Sequence, residues 1–192
     1  MKTVAAVMGA VLGLAATGAQ AGILDLNLGN NSFRGAYSDA LSTVLPSVSN
    51  GEFDAGLIAK PRQGDKYYQA HAGVLLTGSM GVPGVNLGAG LGGRLLYVHD
   101  HSHNGGALAL GGQIEARVPN YNRFGLTASS YYAPGILTVG GLERSWENTI
   151  DLDYELIKGG AVYVGYRNVR QDSGSGNHSV DTGMHLGFRL KF

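Results

Sequence analysis

Between Trp146 and Leu156 the chain sorts its side chains by parity. Trp146, Asn148, Ile150, Leu152, Tyr154 and Leu156 fall on one set of positions, and Glu147, Thr149, Asp151, Asp153 and Glu155 on the other. A β-strand sends successive side chains to opposite faces, so it separates these two sets cleanly. On a helix, Asp151 and Glu155 would stand one turn apart with Leu152 and Tyr154 scattered around the cylinder.

The same period recurs along the chain. Met184, Leu186, Phe188, Leu190 and Phe192 alternate with His185, Gly187, Arg189 and Lys191. Leu108, Leu110, Ile114 and Val118 share a parity opposite Gln113, Glu115 and Arg117. Val162, Val164 and Tyr166 alternate with Tyr163, Gly165 and Arg167, and Tyr68, Ala70, Ala72, Val74 and Leu76 with Gln69, His71 and Gly73. Phe53, Ala55, Leu57 and Ala59 alternate with Glu52, Asp54, Gly56, Ile58 and Lys60, and Leu24, Leu26 and Leu28 with Asp25 and Asn27. Turn-forming stretches separate the runs: 30–32, 46–51, 61–65, 81–84, 100–106, 119–123, 134–144, 158–160 and 172–179. Nine separators give ten strands, the first two being 22–29 and 33–40; eight is the alternative count.

Alternation alone does not say which face is inside. A soluble exported β-sandwich buries the apolar face; a membrane barrel turns it to lipid and its polar face to the lumen. Strand length favours the barrel. The runs reach about 10 to 12 residues, against the roughly 9–11 that cross a bilayer and the 5–6 of an ordinary strand. With both termini periplasmic, the glycine-rich polar turns at 100–106, 134–144 and 172–179 fall outside, and the turns 81–84, 119–123 and 158–160 are the shorter inner ones. Aromatic residues sit towards strand ends, as interfacial girdles require: Tyr67, Tyr68, Tyr97, Tyr131, Tyr132 and Trp146 towards the outer loops, and Tyr121, Phe124 and Phe192 towards the inner turns.

Composition removes several functions. The 192 residues include 32 glycines and no cysteine, so disulfide frameworks, thiol nucleophiles and cysteine-ligated metal sites are excluded. Equal numbers of basic and acidic residues, 14 each, give no electrostatic footprint for nucleic acid.

Lys2 precedes an apolar run from Val4 to Ala16, followed by Ala19-Gln20-Ala21. This is the pattern of a secretory signal peptide, residues 1–21, with cleavage predicted after Ala21; residues 22–192 then form the barrel domain. The run is shorter than the roughly 18 apolar residues of a membrane-spanning helix.

Several stretches carry a family likeness: GAGLGGRLLYV at 88–98, GALALGG at 106–112, YYAP at 131–134, VYVGYR at 162–167 and HLGFRL at 185–190. With these the chain resembles the YfaZ family of bacterial outer-membrane proteins. The resemblance implies an outer-membrane location and a barrel fold, and supplies no catalytic residues. A final amphipathic strand ending in an aromatic residue, here Phe192, is similar to the signal read by the barrel-assembly machinery, which becomes an expected partner beside outer-membrane lipid.

Four constellations could carry chemistry. Residues 88–93 match G-x-G-x-x-G, but a dinucleotide loop opens a helix and this one runs into the strand Arg94–Val98; small residues making room for Arg94 is the simpler reading. His99, His101 and His103, with Asp100, form a metal candidate of suitable ligand types, set in an external loop with nothing to pre-organise it. Glu115, Asp151, Asp153 and Glu155 share polar faces with Arg94, Arg117, Arg167 and Arg189; Glu52, Asp54, Glu147 and Lys191 lie on such faces too. A ten-stranded lumen is near the size that side chains fill, so these read as a lumen-facing ion-pair network and, alternatively, as a charged narrow pore. Ser129, Ser130 and Ser173 with His71, His178 or His185 would be needed for a lipid hydrolase, yet no G-x-S-x-G elbow marks a nucleophile.

The sequence therefore gives an all-β chain, an antiparallel transmembrane β-barrel in the outer membrane. It reads as a non-enzyme of structural or narrow-pore type with no cofactor. The alternatives are a lipid-modifying enzyme and a soluble sandwich.

Overall fold

The structure, a computed structural model, describes residues 22–61, 66–99, 104–119, 123–174 and 176–192. Its strands are β1 (Ile23–Gly29), β2 (Phe33–Ala40), β3 (Glu52–Pro61), β4 (Lys66–Ser79), β5 (Asn86–His99), β6 (Asn104–Arg117), β7 (Phe124–Ala133), β8 (Thr138–Gly140), β9 (Leu142–Ile157), β10 (Gly160–Ser173) and β11 (Gly176–Lys191). Each barrel strand pairs antiparallel with the next in sequence, β7 going directly to β9, and β1 pairs with β11 from Ile23↔Lys191 to Gly29↔His185. Ten strands thus close into a ring with no free edge.

The parity that organises the sequence also decides which way the ring faces. Leu152 is half exposed while Asp153, its neighbour, is 1% exposed; Leu186 is 68% exposed while His185 is buried. Along most of the wall apolar side chains point outwards and polar ones inwards. The apolar faces do not pair with each other, so the sandwich alternative does not form.

The strands are also tilted. From Gly160, at the start of β10, paired positions run through Leu190, Leu24, Tyr37, Ala55, Ala72 and Leu95 to Leu108. That path begins at the end of the barrel carrying the chain termini, here the terminal end, and arrives near the opposite, far end. Such a climb accompanies the inclination of roughly 35–45° found in membrane barrels.

At the far end the strands run further than the turn signals suggested. Gly105 and Gly106 pair with Val98 and Tyr97 inside the β5–β6 ladder, and Asp172 and Ser173 pair with Asn177 and Gly176. Glycine-rich hairpins of this kind read as loops in the sequence but lengthen the barrel wall. Between β7 and β9 lie a short 3-10 turn, Gly135–Leu137, and β8. β8 pairs with Gly105–Ala107 of β6, the stretch of that strand beyond its pairing with β7, and so covers an otherwise open edge.

Aromatic rings frame the outer surface. Tyr132 packs edge-on against Trp146 with ring centroids 5.8 Å apart, and Phe124 lies 4.8 Å from Tyr154 at the other end of the same strand pair. Tyr67 and Tyr131 do not join them. Both are buried in the lumen, because each stands on the inward parity of its strand. Proximity to a strand end says nothing about the face. Tyr121 lies outside the described residues.

Candidate functional site: the lumen

Three levels of inward-facing side chains fill the barrel. Near the terminal end, Arg117 reaches Asp153 at 2.9 Å, with Glu115 at 3.7 Å and Glu155 at 3.9 Å. Arg189 reaches Asp25 at 3.1 Å, with Asp151 at 3.6 Å and Asp153 at 4.0 Å, and lies over the ring of Tyr163. The Tyr163 hydroxyl donates to Asp25 and accepts from Asn27 Nδ2 at 2.9 Å.

At mid-depth the partners change. Arg94 Nε lies 3.0 Å from Asp54, which also meets His71 Nε2 at 3.0 Å, and the Arg94 guanidinium stacks 3.8 Å from the centroid of Tyr131. Arg167 donates from Nε to Asp181 at 2.9 Å and from Nη2 to Asn27 at 3.0 Å; Ser32 also donates to Asp181. His185 meets Asp151 at 2.9 Å. Pairing of this kind offsets the cost of taking these charges from water.

Towards the far end direct contacts close the lumen. Gln171 Nε2 donates to Gln69 Oε1 at 2.8 Å and to the Tyr67 hydroxyl at 2.7 Å, and Gln69 Nε2 donates to Glu147 at 3.1 Å. β4 and β10, which carry Gln69 and Gln171, are five strands apart in a ring of ten, so this bond spans the full width. Lys60 Nζ bonds the Val180 carbonyl at 2.7 Å. Buried Leu96, Val98, Ala133, Leu142 and Val169 fill the remaining space. Below this plug the terminal half of the lumen holds a chamber of about 800 Å³, whose walls run down to Ile23, Gly159 and Phe192 at the rim.

A family model for the YfaZ precursor matches residues 2–192. The chain belongs to the YfaZ family. No curated protein matches it significantly. Solved structures that resemble this YfaZ-family barrel include two of membrane proteins. One is the outer membrane channel DcaP of Acinetobacter baumannii, at 12% identity over 88% of this chain and 54% of that one, with a TM-score of 0.38. The other comes from work on in-meso crystallization of membrane proteins, at 14% identity over 90% and 83%, with a TM-score of 0.37.

The structure places Glu115, Asp151, Asp153, Glu155, Arg94, Arg117, Arg167 and Arg189 on the inner wall of the YfaZ-family barrel, but in separate clusters. Arg117 and Arg189 share the acidic group near the terminal end, whereas Arg94 and Arg167 have partners of their own. Sequence reasoning did not single out Arg34, Asn27, Tyr163, Gln69, Gln171 or Asp181. Except for Arg34, their inward parity was available from the alternation; the partners of all six depend on strand register.

His101 and His103 lie outside the described residues. His99 stands at the end of β5 beside Asn104 and stacks on Tyr68. Ser130 faces outwards and donates to Asn148 at 2.8 Å, while His71 and His185 point into the lumen and meet aspartates. The glycines at 88–93 lie within β5. Space for Arg94 comes from Gly73 across the β4–β5 pair, where a Cβ would sit 2.5 Å from Arg94 Cγ; the Gly92 Cβ would instead strike the backbone of Val74.

Proposed function

We propose that this YfaZ-family chain is an exported, integral outer-membrane β-barrel of structural type. Its termini and chamber face the periplasm, and its lumen is closed to the passage of solutes. The observation carrying this reading is the hydrogen bond between Gln69 and Gln171 across the barrel, backed by the buried side chains around it. An open pore needs a continuous water-filled path, and ten strands leave little width for one. The outward apolar face supports lipid contact, because a lipid-facing charge near mid-depth costs about 2–4 kcal/mol.

Two measurements test the proposal. The outer-membrane fraction should contain the protein in a form whose gel mobility shifts on boiling in detergent. The purified barrel in a planar bilayer should carry no current. Recovery in the soluble periplasm, or stepwise conductance, would overturn it.

The same proposal makes β11 the segment presented to the assembly machinery, since Met184, Leu186 and Phe188 form an exposed row leading to Phe192. Removing Phe192 should lower the amount assembled in the outer membrane without changing synthesis; unchanged assembly would refute that role.

A further inference from the structure

The geometry points to a ligand site in the chamber: a small polar solute bearing a carboxylate or phosphate group, held by Arg34 and reached from the periplasmic end. The inference rests on the closed-lumen reading above.

Arg34 projects inwards from β2, cross-strand from Asn27 and Ile58, and lines the chamber. Four other lumen arginines, Arg94, Arg117, Arg167 and Arg189, each stand 2.9–3.1 Å from an aspartate. Arg34 makes no hydrogen bond or ion pair with any described residue, and its buried Nε has no partner. Glu147, Asp25 and Asp151 act on it only through space. The nearby carboxylates are already engaged: Asp54 by Arg94 and His71, Asp25 by Arg189 and Tyr163, and Asp151 by His185.

β7 lies five strands from β2, diametrically opposite, and contributes Thr127; the adjacent β9 contributes Thr149. Both hydroxyls are buried away from the chamber space, which leaves Arg34 as the donor that meets a solute. The Nη atoms of Arg34, unlike its Nε, are not sealed from the chamber, and a guanidinium presents them to the paired oxygens of a carboxylate or phosphate. The chamber volume of about 800 Å³ is that of a small-molecule site.

The absence of cysteine from the chain allows a direct test. Ser129, on the chamber wall, is replaced by Cys in the full mature barrel refolded in nonionic detergent. It is then labelled with anionic and cationic methanethiosulfonates of equal size. Acidic and basic side chains on the chamber wall nearly balance, so the quantity read is the anionic-to-cationic rate ratio, which Arg34 should raise about tenfold; that gain is the anion preference. Arg34→Gln should abolish the preference. Arg34→Lys should retain the preference, yet lose the protection that millimolar inorganic phosphate or succinate gives the Ser129→Cys protein. Stronger protection by phosphate assigns a phosphate ester, and stronger protection by succinate a carboxylate. A rate ratio that Arg34→Gln leaves unchanged, no protection of the Ser129→Cys protein, or protection that survives Arg34→Gln, would overturn the site. Bilayer current from a protein that keeps its anion preference would overturn the closed lumen alone. Silence with no anion preference would overturn this site alone.

Discussion

Gln69 and Gln171 stand on opposite walls of the barrel and touch, the Nε2 of Gln171 donating to the Oε1 of Gln69 at 2.8 Å. Gln171→Ala removes that bond and the one to Tyr67, so the crossing of the lumen is lost, while Gln69 Oε1 keeps the Tyr67 hydroxyl as a donor. Stability should fall by about 1–3 kcal/mol. Urea unfolding followed by the fluorescence of Trp146, the sole tryptophan, measures it.

Arg167 is 1% exposed and binds Asp181 and Asn27 together. Arg167→Met strands the Asp181 carboxylate in the lumen. The expected loss is about 3–5 kcal/mol, the cost of breaking a buried pair from one side. Replacing Arg167 and Asp181 together by apolar residues should cost much less, and a double-mutant cycle separates the two cases.

Adjacent residues with opposite exposure give the sharpest test of the inside-out arrangement. Leu152→Arg puts a charge on the outward face and should destabilise the barrel in lipid by about 2–4 kcal/mol. An outward face bathed in water would tolerate the change, so equal stability in vesicles would contradict the membrane assignment.

Gly165 lies beneath the contact between His185 and Asp151, and a Cβ there would collide with both side chains. Gly165→Ala should cost about 1–3 kcal/mol by overpacking. Gly78→Ala, where a Cβ meets nothing within 4 Å, should change stability little. Parallel urea titrations of the two variants would show the contrast.

The sequence disclosed the wall of this barrel better than its contents. In 146–156 each residue's face follows from parity alone, because lipid and lumen impose opposite chemistry on neighbouring positions. The same rule could have placed Tyr67 and Tyr131 inside, had parity been weighed above nearness to a strand end. Arg34 was obscured because Phe33–Ala40 mixes Gly, Ala, Ser and Asp without a clean alternation. The meeting of His71 with Asp54 needs the register of β3 on β4, and that of Gln69 with Gln171 needs closure of the whole ring. Long-range geometry of this kind leaves no trace in local spacing.

The pairing of β1 with β11 also sets the order of events during biogenesis. Its two halves come from opposite ends of the chain, so the seam is the contact with the greatest sequence separation and cannot form before the last strand arrives. Until then the sheet has two unpaired borders and an apolar face seeking cover, a state prone to aggregation in water. A nascent chain cut short anywhere before β11 would carry that hazard permanently, which makes the final sixteen-residue strand the natural checkpoint for whether a copy is worth inserting.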